Sequence, residues 1–388
     1  MALDYSHDPS RDDKNLIVHT EKPFNAEPNP KDLISNFITP EKYFFCRSHG
    51  NIPNLDEASH KITIEGINIT TPKRFTIQEL KTRFEKKSIV MAMQCAGNRR
   101  DGLHKVKHTE GVIWGPGAVA NGIYSGCRLK DVLESIGITE QMGHTATLHV
   151  AFQSVEKCEE DECYGSSIPL SKAVDEFGDV LLAYEMNGAP LTRDHGYPIR
   201  IVVPGYIGAR SVKFLKSIRI QDKESSAYYQ QHDYKILPEN VGSIDDAENY
   251  WSITPAIGEY NVQSFVCDPP SGLVDVPILA NAQPVKVQGY ALSGGGRSIQ
   301  RVDVSGDDGN TWVHAELQSQ PIAERTSAYT WSWTLWTAHV HVKAGVRLVS
   351  RAVDSAGNIQ QEFPVWNFRG VLNGAWRTVK PTSVIEEQ

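Results

Sequence analysis

The sequence predicts an α+β protein, with a mixed strand-and-helix domain followed by an all-β sandwich. Three observations carry that prediction. The chain has 388 residues, more than one hydrophobic core usually organises. Strand and helix patterns are mixed up to about residue 255. Beyond residues 256–262 strand signals recur with turn residues between them. The expected division is an extended arm over 1–35, a mixed domain over 36–255 and a sandwich over 256–388.

The arm is rich in Asp, Asn, Lys and Pro and has little periodicity, so it is expected to lie extended on the surface. Ile62-Thr-Ile-Glu-Gly-Ile-Asn-Ile69 alternates as a half-buried strand does. Thr76 to Phe84 reads as a short helix with Thr76 as its cap, and Leu129 to Ile136 as a second, amphipathic one. Ile199 to Val203 is an apolar, β-branched run stopped by Pro204-Gly205, which predicts a buried strand.

In the second half, Pro284 to Ala291 alternates, and Arg301-Val-Asp-Val-Ser305 leads into the hairpin turn Gly306-Asp-Asp-Gly309. Tyr329, Trp331, Trp333 and Leu335 are expected on one face of a strand, with the tryptophans in the sandwich core. Val346 to Val353 precedes the turn Asp354 to Asn358. About seven short strands with regular turns describe an immunoglobulin-like sandwich. Ser293-Gly-Gly-Gly-Arg297 lacks the Gly-Lys-Ser ending of a phosphate loop and reads as a turn within it.

Hydrophobic residues make up 40% of the chain and charged residues 22%, as in ordinary soluble proteins. The formal net charge of -8 argues against a nucleic-acid partner, which would call for a basic face. An anionic substrate would need a local basic cluster. Six cysteines without a CxxC pair read as reduced thiols in a reducing compartment. The sequon at Asn68 is then incidental. No apolar run is long enough to span a membrane, and no leader or Ser-Lys-Leu-type ending is readable. The expected location is intracellular, unresolved between cytosol, peroxisome and mitochondrion.

The most informative segment is Met91-Ala-Met-Gln-Cys-Ala-Gly-Asn-Arg-Arg100. Two guanidiniums beside one thiol favour the thiolate form of Cys95. A thiolate is a nucleophile or a soft metal ligand. A buried structural cysteine is the alternative, but arginines are unusual company for a core thiol. A phosphatase-type loop fails because Arg100 falls one residue short of the required spacing and position 101 is Asp. A cysteine hydrolase would need a histidine base that sequence cannot place. One Cys without a second nearby ligand cannot hold zinc. A metal that arrives on its own chelating cofactor needs only one protein thiolate, which points towards molybdenum on a pterin dithiolene.

Gln94-Cys-Ala-Gly-Asn-Arg-Arg100 resembles the signature of the sulfite oxidase family of molybdenum enzymes. Phe44 to Gly50, Gly111 to Gly115, Ala183 to Gly188, Arg193 to Arg200, Val203 to Lys213, Asp233 to Lys235 and Trp366 to Gly370 also resemble family blocks, in family order. The resemblance runs from about residue 20 to 380 and is closest to the plant type, which has no haem module. It implies a molybdenum–molybdopterin cofactor with Cys95 as the protein ligand, and no haem in this chain. Arg47, Arg100 and Arg369 would form an anion pocket walled by Trp114 and Tyr234, with Asp233 supporting Tyr234. Phe45, Cys46, Arg47, Ser48, His49, Glu156, Lys157, Cys158, His195, Arg200, Ser211, Val212 and Lys213 would hold the pterin and its phosphate. Position 48 is often Asn in the family, a conservative departure. Arg99 is expected to be solvated or in a structural ion pair.

The implied activity is oxidation of sulfite to sulfate by oxygen-atom transfer from Mo(VI). Electrons would pass to oxygen or an external cytochrome, and the sandwich would pair in a two-fold dimer. Convergent guanidiniums suit a small oxyanion, since they make bidentate charge-assisted bonds. The molybdenum domain of a nitrate reductase shares the cysteine signature. Arg369, and the lack of a following cytochrome or flavin module, favour sulfite. A non-enzymatic immunoglobulin-like scaffold would leave Cys95 and the arginines unexplained.

Overall fold

The computed structural model describes residues 3–11, 14–145, 147–269, 284–319, 329–342 and 347–377. Val346, at the start of one expected strand, and both chain ends lie outside the described residues.

The first half is built on two five-stranded sheets. In one, Val119–Arg128 runs antiparallel between Lys86–Gln94 and Leu181–Met186. The short strands Ala189–Pro190 and Arg200–Val202 both pair with Leu181–Met186. The other has the order Lys73–Thr76, Lys61–Gly66, Leu215–Gln221, His149–Ser154, Gly165–Pro169, with one parallel pair, Leu215–Gln221 against Lys61–Gly66. The expected strands at 62–69 and 199–203 are therefore present, trimmed at their ends. The helix Ile77–Arg83 carries a full capping box. The Thr76 hydroxyl accepts from the Glu79 N–H and the Glu79 carboxylate accepts from the Thr76 N–H. The second expected helix is Leu129–Glu134, with Leu129, Val132 and Leu133 buried.

The second half is a seven-stranded sandwich among the described residues. Gln263–Asp268, Val285–Leu292, Thr334–Val340 and Glu316–Gln318 form one sheet. Val313–His314, Ile299–Ser305 and Val349–Asp354 form the other. Between them lies a core of Val266, Val287, Val302, Val304, Trp336, Ala338 and Ala352. The hairpin expected at Gly306 to Gly309 joins two strands that pair antiparallel. No helix among the described residues is long and apolar enough to cross a membrane.

Two expectations are corrected. The segment read as a surface arm forms a hairpin, Leu16–Glu21 with Phe24–Pro28, and every residue of the second strand is buried. It pairs further with Cys46–Arg47, so Phe24 and Ala26 pack on Cys46. Polar composition hid this burial because Asn25 and Glu27 are buried with their hydrogen bonds satisfied. The second correction concerns Trp331 and Trp333. They precede the strand Thr334–Val340 and turn away from the sandwich core. Trp331 packs into the cluster around Cys95 and donates to Asp179 Oδ2, while Trp333 enters the main core of the first half and donates to the Phe37 carbonyl. That main core also takes in Tyr290, Leu292 and Leu335 of the sandwich, so apolar packing is continuous across the seam.

Candidate functional site

Cys95 is the first residue after the strand Lys86–Gln94. Its N–H donates to the Ala118 carbonyl at 2.9 Å, and its own carbonyl accepts from the Asn98 N–H at 3.0 Å. The strand thus ends in a tight turn that puts Cys95 on the wall of a cavity. The same wall carries Phe45, Arg47, His49, Glu156, His195, Arg200, Ser211, Lys213 and Tyr234 of the expected residues.

Arg100 opens the helix Arg100–His104 directly after the turn and is buried. Its Nε donates to the carbonyls of Arg369 and Gly370, both at 3.1 Å, and its Nη1 to that of Val112. Burial lowers the Arg100 pKa from its ordinary value; the Cys95 sulfur opposes that shift, and the charges of Arg369 and Arg47 reinforce it. Cys95 and all three predicted arginines therefore share one electrostatic neighbourhood. Arg47 is held by Asn25 Oδ1 at 3.2 Å and by the Ser48 carbonyl. Arg369 pairs with Asp233 at 2.7 Å, so Asp233 supports this arginine, not Tyr234 as expected. The Tyr234 hydroxyl instead meets His49 Nε2 at 2.8 Å. Burial, with Arg47, Lys213 and Arg369 nearby, holds the His49 pKa well below the usual imidazole range. Burial also raises the Tyr234 phenol, with Arg47 opposing.

Also on the cavity lining, Lys213 Nζ donates to Ser48 Oγ at 3.2 Å and to the Asp194 carbonyl at 2.9 Å. Arg200 bonds the carbonyls of His195 and Ser211. Burial pushes the His195 pKa down to about 4, with Asp194 opposing. Glu156 is buried and accepts from the N–H groups of His49 and Gly50 at 3.0 and 2.9 Å, fixing the backbone that carries Arg47 and His49.

Several predicted residues do not line the cavity, Arg100 and Arg369 among them. Trp114 is fully buried in the Cys95 cluster, edge-on to His19, and its indole N–H has no partner among the described residues. Cys46 lies behind Phe45, its thiol raised to about 12 by burial, with His195 Nε2 at 4.0 Å. Ser48 reaches the site through Lys213 at its hydroxyl and Arg47 at its carbonyl, and Val212 through backbone pairing with Ile201. The Lys157 side chain is exposed, and Cys158 is buried in the main core where its backbone bridges Gly50. Arg99 is neither solvated nor ion-paired among the described residues. It is buried, lies 5.1 Å over the Phe265 ring, and donates to the Ala375 carbonyl.

Sequence reasoning gave no role to Met93, Ala96, Tyr164, Gly208 and Ala209, which also line the cavity. Tyr164 packs 4.5 Å from the His49 ring and donates to the Ala209 carbonyl. No local pattern marks it. Gly208 and Ala209 sit inside the quoted Val203 to Lys213 block, whose glycines signal close backbone approach.

A metal-bearing pterin would be anchored here by one sulfur, and the residues present fit it. Among the described residues no group of three or more His, Cys, Asp or Glu side chains could hold a metal by itself. Cys95 lines a pocket that Arg200, Lys213 and His195 also line, a donor set suited to an anionic, phosphate-bearing group.

Residues 49–229 match the family model of the oxidoreductase molybdopterin-binding domain, and residues 254–383 that of the Mo-co oxidoreductase dimerisation domain. The chain is 42% identical to a sulfite oxidase of Arabidopsis thaliana, over 97% of this chain and 96% of that one. It is 39% identical to a mitochondrial sulfite oxidase of Rattus norvegicus, over 97% of this chain and 67% of that one. Among solved structures, the sulfane dehydrogenase SoxCD from Paracoccus pantotrophus superposes with a TM-score of 0.72 at 26% identity, covering 92% of this chain and 84% of that one. The cysteine turn, the basic pocket and the sandwich have the same explanation: this chain belongs to the sulfite oxidase family of molybdopterin-dependent oxidoreductases.

Proposed function

We propose that this protein oxidises sulfite to sulfate with a molybdenum–molybdopterin cofactor held by Cys95. The observation that carries the reading is Cys95 and Arg47 on one cavity lining, with Arg100 buried directly after the cysteine turn and bonded to the backbone of Arg369 and Gly370. Phe45, Arg47, His49, His195, Arg200, Ser211 and Lys213 would hold the pterin, with Glu156 fixing the backbone at His49 and Gly50. When bound, the cofactor supplies oxygen-atom transfer and storage for two electrons.

The chain's own residues bind and orient the substrate. Arginines that repel one another are stabilised by an oxyanion, and each can offer parallel N–H donors to two of its oxygens. Sulfite and sulfate carry up to two charges and nitrate carries one, so a pocket with three cations favours the sulfur oxyanions over nitrate. Kept neutral, His49 can accept the Tyr234 hydroxyl hydrogen at Nε2 and so sets that hydroxyl's direction at the cavity wall. Trp114, fully buried, excludes water from the cluster around Cys95. Electrons leave to oxygen or to an external cytochrome, and the sandwich pairs with that of a second copy.

Elemental analysis and turnover test the reading together. Purified protein should contain molybdenum equimolar with the chain. Sulfite should drive either peroxide formation or cytochrome reduction. Cys95→Ser should reduce turnover to background, since a hard alkoxide replaces a soft thiolate poorly. Normal sulfite turnover by that variant would refute the ligand role.

A further inference from the structure

The turn that carries Cys95 is gripped from the sandwich. Gln263 donates from Nε2 to Gln94 Oε1 at 2.5 Å. The Leu372 N–H donates to the Ala96 carbonyl at 2.8 Å. Asn98 Nδ2 donates to the Tyr290 hydroxyl at 3.1 Å, and Asn373 Nδ2 to the Arg99 carbonyl at 2.9 Å. Arg99 lies over Phe265, and Arg100 reaches the carbonyls of Arg369 and Gly370. These partners come from two sandwich strands and from the segment that follows the sandwich.

Tyr290 has a second attachment. Its hydroxyl accepts from Asn98 and donates to the Pro116 carbonyl at 2.9 Å. Pro116 belongs to the loop that carries Trp114. The two loops are also joined directly, because Asn98 Oδ1 accepts from the Ala118 N–H at 3.1 Å and Cys95 donates to the Ala118 carbonyl. Tyr290 is fully buried, and its ring is stacked 5.9 Å from that of Trp333. One phenol oxygen on a rigid strand therefore ties the cysteine turn to the Trp114 loop.

We propose that Tyr290 is a positioning residue for Cys95, so that the sandwich sets the place of the metal-ligating sulfur in addition to any role in dimerisation. The proposal rests on Cys95 being the ligand, as argued above, but its test does not need the metal. A buried donor and acceptor deprived of their shared hydroxyl must move or lose their bonds, whereas the Phe ring keeps its packing.

The experiment is Tyr290→Phe in the full-length chain, first without cofactor. Alkylation of each cysteine by iodoacetamide is followed by mass spectrometry, with Cys127, fully buried in the strand Val119–Arg128, as the internal reference. The expected result is alkylation of Cys95 faster by roughly tenfold, the worth of one hydrogen bond, with Cys127 unchanged. In the loaded enzyme the electron paramagnetic resonance signature of the metal–thiolate centre should shift, and kcat should fall more than KM rises. A purely structural role predicts that Cys95 and Cys127 change together and the signature stays put. That result, or no change at Cys95, overturns the proposal. Should Tyr290→Phe fail to fold, Gln263→Leu tests the same grip at Gln94 with the same expected and overturning results. If Cys95→Ser kept normal turnover, the ligand assignment would fail while the alkylation result stood on its own.

Discussion

Arg369 couples two parts of the site. Its guanidinium pairs with Asp233 and its carbonyl accepts from Arg100. Replacing it by Gln removes one cation from the proposed anion pocket and keeps a donor. A hydrogen bond to a charged group is worth about 1.5–3 kcal/mol, so kcat/KM for sulfite should fall by roughly 10- to 100-fold. Steady-state kinetics should show most of that loss in KM, and an unchanged KM would remove Arg369 from the pocket. His195 offers a different test. Its folded-state pKa is depressed to about 4, with burial the largest cause. Unfolded, it would titrate near 6.5, so the unfolded chain binds a proton that the folded chain refuses. Stability is fully present above about pH 6.5 and is lost as the pH falls towards 4, by about 3 kcal/mol at the limit. Urea titrations across that range should show a shallower loss for His195→Asn than for the unaltered protein.

At the scale of elements, short turns hold the site, and one glycine has no room for a side chain. Gly370 has φ +56, and a Cβ there would lie 2.7 Å from Arg100 Cγ and 2.9 Å from Thr109 Cβ. Gly370→Ala is therefore strained in its backbone and pushes Arg100 off the carbonyls that hold it. Sulfite turnover should fall at least tenfold, with the far-ultraviolet circular dichroism of the chain unchanged. Retained activity would show that Arg100 can shift without cost. The hairpin Leu16–Glu21 with Phe24–Pro28 contributes in the same way. Glu27 accepts from the N–H groups of Gly115 and Gly117, so a strand from the first thirty residues fixes the loop that follows Trp114.

For the whole molecule, the seam between the halves is a structural core. Trp333 is fully buried in the main core of the first half and is stacked on Tyr290 of the sandwich. Truncating it to Ala should cost about 3–5 kcal/mol, as large buried aromatics do. Urea unfolding should show the lower midpoint, and if the halves are coupled both should melt together. Two separate transitions, with only one shifted, would show that the seam adds little. Sedimentation should report twice the chain mass for the unaltered protein, as pairing through the sandwich requires.

Much of this could be read from neighbouring residues alone. The capping box at Thr76 and Glu79, the alternating strands of the sandwich and the Cys-Ala-Gly-Asn-Arg-Arg turn are patterns a few residues long. Hydrogen bonding and side-chain periodicity act over that same span, so these features survive in a linear reading. Packing decided the rest. Asn98 and Tyr290 are 192 residues apart, Gln94 and Gln263 169, and no local period relates them. The partner of Asp233, the burial of the second strand of the first hairpin and the exposure of Lys157 depend on which surfaces the folded chain brings together. Sequence by itself singled out Cys95 and the arginines proposed to act beside it. Tertiary structure decided what holds them, because a buried polar group takes its partner from whatever element packs against it.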